Sequence, residues 1–548
     1  MVRPASRAAL AAAAVTLTLT LTACSSDSSI KKSESGADSD FTTVEYAGKA
    51  TGPIDSFSWA LYAEPSTLDW VHSNTYPQNT VLSNVCEGLL RLNPDLSTSP
   101  ALAESVEQPD GKTYVYKIRS GVKFHDGAPL TAEDVAYSLN RNLDPKVGSY
   151  LGASYGNVQS IKATGDLEVT VKLKQPDSLF NSMLTTAAGY VDSKAYVESK
   201  GEGYGSPSGL VDCTGPFELS SWDQGSAITL GAYDGYWDHD LTPKAKQVVF
   251  KFYEDASARV TALRTGEVDG NFFITPSGTE TLKDTGAGKL YYGKNPTVRS
   301  LMTWHLDGPL ADPRIRQALS MAIDRQNVIE AAFNGAATPA KSPVSPDAYS
   351  YAENVYKAAY DALPPSDPDI KAAKKLVEEA GAPSEPIVVA SSPADPSYNL
   401  TALAVQAAGQ AIGLHVAIKT LPIQQYNGLF NDKEARKDID LYSTTWNLDI
   451  PDPLEFFGLY AYPGKYNNYN GFDDPEYVKT AQQAMAATDE NTRAELTVRL
   501  QKQFVDQTLW IPLFNVPVTV FQSNKIAGTP TGISYMAGPW AAYVGAAK

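Results

Sequence analysis

The sequence predicts an α/β protein of more than one domain, and three observations point there. At 548 residues the chain exceeds what one hydrophobic core usually serves. Its carboxyl-terminal half alternates helical and strand patterns, the order of an α/β domain. Nearer the amino terminus, alternating segments around one capped helix read as a small α+β unit. A 43% hydrophobic and 20% charged composition is that of a globular chain. The net charge of −17 repels polyanions, so no nucleic-acid partner is expected.

The first residues read as a targeting segment. Arg3 and Arg7 precede an apolar run, Ala8 to Leu21, too short for a comfortable membrane span, and Leu21-Thr22-Ala23-Cys24 puts small residues before a cysteine. This resembles the lipobox of bacterial lipoproteins, which implies a signal peptide over 1–23, lipidation at Cys24 and a Ser/Asp-rich tether over 24–40. A secreted protein without lipid is the alternative. Two cysteines remain, Cys86 and Cys213, either bridged in an oxidising compartment or kept as buried thiols.

The elements follow in order. Phe57 to Trp70 reads as a strand running into a loop, and a helix is predicted over Thr80 to Leu90. Tyr114, Tyr116 and Ile118, then Leu167, Val169, Val171 and Leu173, alternate with polar residues as half-buried strands do. Between them Thr131-Ala132-Glu133-Asp134 has the form of a helix N-cap with an acid at the third helical position. Gly201 to Gly209 reads as a linker or long loop. Strands are predicted after Thr214-Gly215-Pro216-Phe217 and over Val248 to Tyr253, with a helix from Ser257 to Thr265 ending at Gly266. Asp312 before Pro313 is the clearest helix start, Asp324 opens a second helix ending at Gly335, and Asp367-Pro368 opens a third closed by Gly381. Strands at Ile387 to Ala390 and His415 to Thr420 precede a long helical region, Glu476 to Gln507, and final strands from Ile511 to Phe521.

The stretch Trp446-Asn447-Leu448-Asp449-Ile450-Pro451-Asp452-Pro453-Leu454-Glu455-Phe456-Phe457 carries the candidate site. Two prolines remove N–H donors and favour extended backbone, so a stiff exposed strap is predicted in place of a helix or central strand. With Tyr460, Tyr462, Tyr466 and Tyr469 beyond it, the strap sets Asp449 among aromatics suited to a cleft, a natural receptor for an ammonium group. The alternative is that Asp449 and Asp452 cap turns and the aromatics are core.

Four segments in order resemble the extracellular solute-binding proteins of ABC importers, in the large class that holds dipeptide, oligopeptide and nickel receptors. They are Glu87-Gly88-Leu89-Leu90 through Pro100 to Ser105 and on to Gly121 to Gly127 and Thr131 to Val135; Thr214-Gly215-Pro216-Phe217 to Tyr236-Trp237; Ala262 to Asp269; and Asp312 to Leu319 with Ala322 to Arg325. The resemblance implies a two-lobed, Venus-flytrap α/β fold with an extra α+β domain inserted in lobe I. Lobe I would comprise 41–87, 215–302 and 512–548, the inserted domain 88–214, and lobe II 303–511. It sets Cys86 and Cys213 at the two edges of the insertion and so implies a disulfide. It also implies that Trp446, Asn447, Leu448 and Asp449 bind ligand, with Asp449 pairing a peptide's α-ammonium, though Leu448 and Ile450 replace the Ala and Tyr usual there. Its partners would be a peptide, a membrane permease with ATPases on separate chains, and the membrane through the lipid, the receptor itself being a monomer outside the cytoplasm. An oligosaccharide, nickel or haem receptor on the same fold is the alternative.

Enzymatic readings lack an anchor. Gly152-Ala153-Ser154-Tyr155-Gly156 fits G-x-S-x-G, but a nucleophile elbow needs a strand before it and a helix after it. There is no H-E-x-x-H, P-loop or dinucleotide fingerprint, and His125 and His305 stand isolated. No catalytic residue, metal ligand or cofactor is assigned.

Overall fold

The computed structural model describes residues 41–464 and 467–548. The signal-peptide, tether and Cys24 readings, and Tyr466, lie outside the described residues. Two large sheets dominate. The first has seven strands in the order Gly288–Gly293, Val518–Ser523, Gly270–Phe272, Ile54–Leu61, Ala245–Phe252, Ala227–Ala232 and Phe217–Asp223. Its centre is parallel, Ile54–Leu61 running with Ala245–Phe252, and antiparallel pairings flank it. The second has six strands in the order Thr338–Pro339, Trp510–Asn515, Val298–Thr303, Leu441–Trp446, Ile387–Ser391 and Val416–Thr420. Helices cover both faces of the second sheet, as an α/β lobe requires. The two-lobed α/β class expected from sequence is the fold observed.

Between the lobes the chain passes twice, at 294–297 and at 516–517. Asn295 ties the passages together, its side-chain amide donating to the Val516 carbonyl at 2.9 Å while its backbone N–H donates to Asp347 at 2.9 Å. The sheets therefore change earlier than the sequence suggested at 302/303 and later than at 511/512. Val298–Thr303 and Pro512 to Asn515 pair inside the second sheet, because strand register, invisible in a linear pattern, joins Val298–Thr303 to Leu441–Trp446.

The segment 88–214 carries a four-stranded antiparallel sheet, Ala103–Asp110, Thr113–Ile118, Glu168–Leu173 and Val158–Gly165, and the helix Ala132–Arg141. Thr131 and Asp134 form a full capping box on that helix. Its later part does not stay with this sheet: Tyr190, Tyr204, Val211 and Cys213 pack into the core of the first lobe. Cys86 and Cys213 form a disulfide with 4.9 Å between Cα atoms. Beside it, Arg141 bridges the buried carboxylates of Asp69 and Asp192, and Asp192 also accepts from the Trp70 indole and the Tyr204 hydroxyl.

Several predicted elements move. The helix expected over Thr80 to Leu90 spans Tyr76–Leu82, because the chain beyond it turns so that the Asn84 and Val85 carbonyls accept from Phe217 and Gly215. A Cβ on Gly215 would lie 2.5 Å from the Val85 carbonyl oxygen, so only glycine permits that approach. The Gly201–Gly209 stretch is docked against Leu68, whose N–H donates to Gly205 at 2.8 Å. The third helix begins at Ile370 behind Asp369, two residues later than expected. The long helical region is two helices, Pro475–Ala486 and Glu490–Asp506, the second capped by Asp489. Among the described residues, no helix is long and apolar enough to cross a membrane.

Candidate functional site

Trp446 ends a central strand of the second sheet, paired with Val298. Beyond it the chain leaves the sheet and bends from Asp449 to Pro451, while burial alternates: Asn447 and Asp449 are exposed, Leu448 and Ile450 are buried. The side chain of Leu448, expected to face ligand, is thus a core contact at 7% exposure. Trp446 is half-buried, edge-on to Trp510 at 6.1 Å. The second half of the predicted strap is not extended. Pro453–Leu459 is a helix, with Asp452 as N-cap donating no proton but accepting from Leu454 N–H at 2.9 Å, and with Pro453 in the first turn. Phe456, Phe457 and Tyr460 are fully buried, not lining a cleft, because a helix turns its apolar face onto the lobe core. Tyr462 is exposed, and Tyr469 packs against Trp304.

The strap is fixed at two points. Both oxygens of the buried Glu455 accept from the strap backbone, from Asp449 N–H and Ile450 N–H at 3.1 Å each. At the far end the Ser350 hydroxyl donates to the Pro451 carbonyl at 2.7 Å, and the Tyr351 hydroxyl donates to Asp452 at 3.0 Å. Arg493 lies over the Tyr351 ring at 4.0 Å and 3.8 Å from Asp452. Sequence reading missed Glu455, though Asp452-Pro453-Leu454-Glu455 has capping-box spacing, with an acid at the third helical position.

The strap holds two acids whose charged forms are disfavoured by burial. Burial pushes the Glu455 carboxyl well above the usual carboxylate range, and the neighbouring Asp449 charge adds to it. Asp449 presents its side chain outward yet is surrounded by enough protein that desolvation raises it as well. Among the described residues neither has a cationic partner, whereas Asp452 has Arg493. The first lobe supplies the facing wall. Tyr76 starts the helix Tyr76–Leu82, and burial, the Tyr62 hydroxyl and the Asp449 carboxylate together push its phenol up to about 12. Tyr76, Tyr62, Phe273 and Tyr535 help to line a small open hollow. In its lining, Asn271 and Trp59 each carry a buried polar atom with no protein partner.

Ser154 lies in the 3-10 turn Tyr150–Tyr155, which leads into the strand Val158–Gly165, the reverse of a strand–turn–helix elbow. The sulfurs of Cys86 and Cys213 approach an oxygen of Asp192, but the thiols are consumed in the disulfide and the carboxylate is already satisfied, so this trio is not set up to hold a metal.

A family model described as bacterial extracellular solute-binding proteins, family 5 Middle, matches residues 97–468. The oligopeptide-binding protein OppA of Bacillus subtilis (strain 168) is 27% identical over 504 residues, covering 85% of this chain and 89% of that protein. The ABC transporter substrate binding protein CtaP of Listeria monocytogenes superposes with a TM-score of 0.79 at 22% identity, covering 90% of this chain and all of that one. The periplasmic binding protein DppA of Helicobacter pylori, in complex with the peptide STSA, has a TM-score of 0.71 at 22% identity, covering 91% of this chain and 99% of that one.

Proposed function

Since the chain belongs to family 5 of the bacterial extracellular solute-binding proteins, we propose that it captures peptides between its two lobes and delivers them to a membrane permease. The carrying observation is Asp449: an outward carboxylate without a cationic partner among the described residues, on a strap braced by Glu455 and within electrostatic reach of Tyr76 across the cleft. Such a group is completed by a ligand ammonium. A charge-assisted, partly desolvated pair of this kind fixes the ligand's register, and exposed strap backbone then bonds its main chain whatever the side chains. The names of relatives that bind oligopeptides support the peptide class.

In this reading Cys24 carries a lipid that tethers the receptor on the outer face of the membrane, and the importer's ATPases are separate chains. Closure is driven by the ligand's higher affinity for the closed state. Native mass spectrometry of the purified protein is the direct test. A co-purifying ladder of peptides is expected; a glycan, or a nickel or haem adduct in its place, overturns the peptide reading.

A further inference from the structure

We propose that Glu455 is the positioning residue of the ammonium subsite, holding the strap backbone so that Asp449 stays aimed into the cleft. The inference rests on the assignment of Asp449 as the ligand's ammonium partner.

Two consecutive N–H groups, those of Asp449 and Ile450, converge on one carboxylate, each at 3.1 Å. In a regular strand successive N–H groups point to opposite sides, so their convergence marks a local concavity in the backbone, the kind that ordinarily receives an anion. Here the anion is internal. Glu455 reaches back from the first turn of the helix Pro453–Leu459, and Asp452, one turn earlier, is the cap that sets where this helix begins. Leu448 and Ile450 are anchored in the lobe core on one side of the strap, and Glu455 fixes its backbone in place. The backbone that carries Asp449 is thereby held on both sides.

Burial without a cation is the second strand of the argument. Glu455 is 8% exposed, and among the described residues no lysine, arginine or histidine pairs with it. Its two oxygens take one N–H each, a two-point match that a side-chain amide, with a single acceptor oxygen, does not offer.

The test uses the intact protein and a mixed library of tripeptides to pentapeptides, half of it N-acetylated, with bound members quantified by mass spectrometry. The unmutated protein should enrich free-amine members at least tenfold over acetylated ones, and Asp449→Asn should abolish the preference. Glu455→Gln puts an amide N–H₂ against a backbone N–H and should cut the preference at least fivefold while capture of acetylated members stays level, which general destabilisation would not do. Full preference in Glu455→Gln with loss in Asp449→Asn overturns the role of Glu455 and leaves the anchor standing. A preference that survives Asp449→Asn, or is absent from the unmutated protein, overturns the anchor and this inference with it. If Glu455→Gln does not fold, amide exchange decides: slow exchange at Asp449 and Ile450 in the unmutated protein supports the brace, and exchange at the rate of an unstructured peptide overturns it.

Discussion

Arg493 donates a hydrogen bond to the backbone carbonyl of Ser178 across 3.2 Å, joining the helix Glu490–Asp506 of the second lobe to the inserted domain. The Ser178 N–H in turn donates to Met485 at 2.9 Å, and Leu179 lies in the core of the second lobe. Because Arg493 also pairs with Asp452, one guanidinium serves both the strap and the inserted domain. Arg493→Met would leave the Asp452 carboxylate buried and unpaired. Stability should fall by about 3 kcal/mol, the scale for breaking a buried pair, read by denaturant unfolding, with faster amide exchange around Ser178.

Asp449→Ala should weaken binding of a peptide with a free amino terminus by about 2–4 kcal/mol and leave the N-acetylated peptide little changed. Titration calorimetry with the matched pair reads this directly. Equal loss for both would remove Asp449 from the role of ammonium partner.

The disulfide spans 127 residues and closes the whole inserted segment onto the first lobe. In the chain-entropy account, replacing Cys86 and Cys213 together by serine should cost about 4–5 kcal/mol, seen as a lower denaturant midpoint. The effect should vanish when both proteins are compared under reducing conditions.

Asp212 offers a pH test. Burial, with the nearby Asp126 charge adding to it, pushes its carboxyl up to about 7. A group raised in the folded state contributes stability that is fully present below its unfolded value and is lost as pH rises through the folded one. Asp212→Asn removes that loss, so the variant should be more stable than the parent at pH 8 and show no such advantage at pH 4. The neighbouring His125, which burial holds down at about 4, works in the opposite sense, its stabilising effect fading as pH falls from 6.5 toward 4.

Sequence made the helix starts legible where one residue does a local job. Asp312 with Pro313 and Asp324 cap the helices Pro313–Ala322 and Arg325–Phe333 as their positions implied. It failed where distant backbone decides the outcome, as at Asn84 and Val85, whose carbonyls are claimed by Phe217 and Gly215 more than a hundred residues on. The strap divides the same way. Two prolines suggested continuous extended chain, but Asp452 and Pro453 together form a helix start, so Phe456, Phe457 and Tyr460 went to the core. Asp449 was readable as a carboxylate beside aromatics; its brace was not, since Glu455 acts on backbone atoms that no composition rule marks.

The in-and-out alternation from Asn447 to Ile450 also sets how this surface can change. Adding or removing a single residue after Trp446 would turn Asp449 into the core and bring Leu448 to the surface, exchanging a charged face for an oily one in one step. Asn447 is exposed, so point changes there leave the lobe core in place. Lineages altering what this receptor accepts are therefore channelled toward substitution at the outward positions, with the length of the segment held constant.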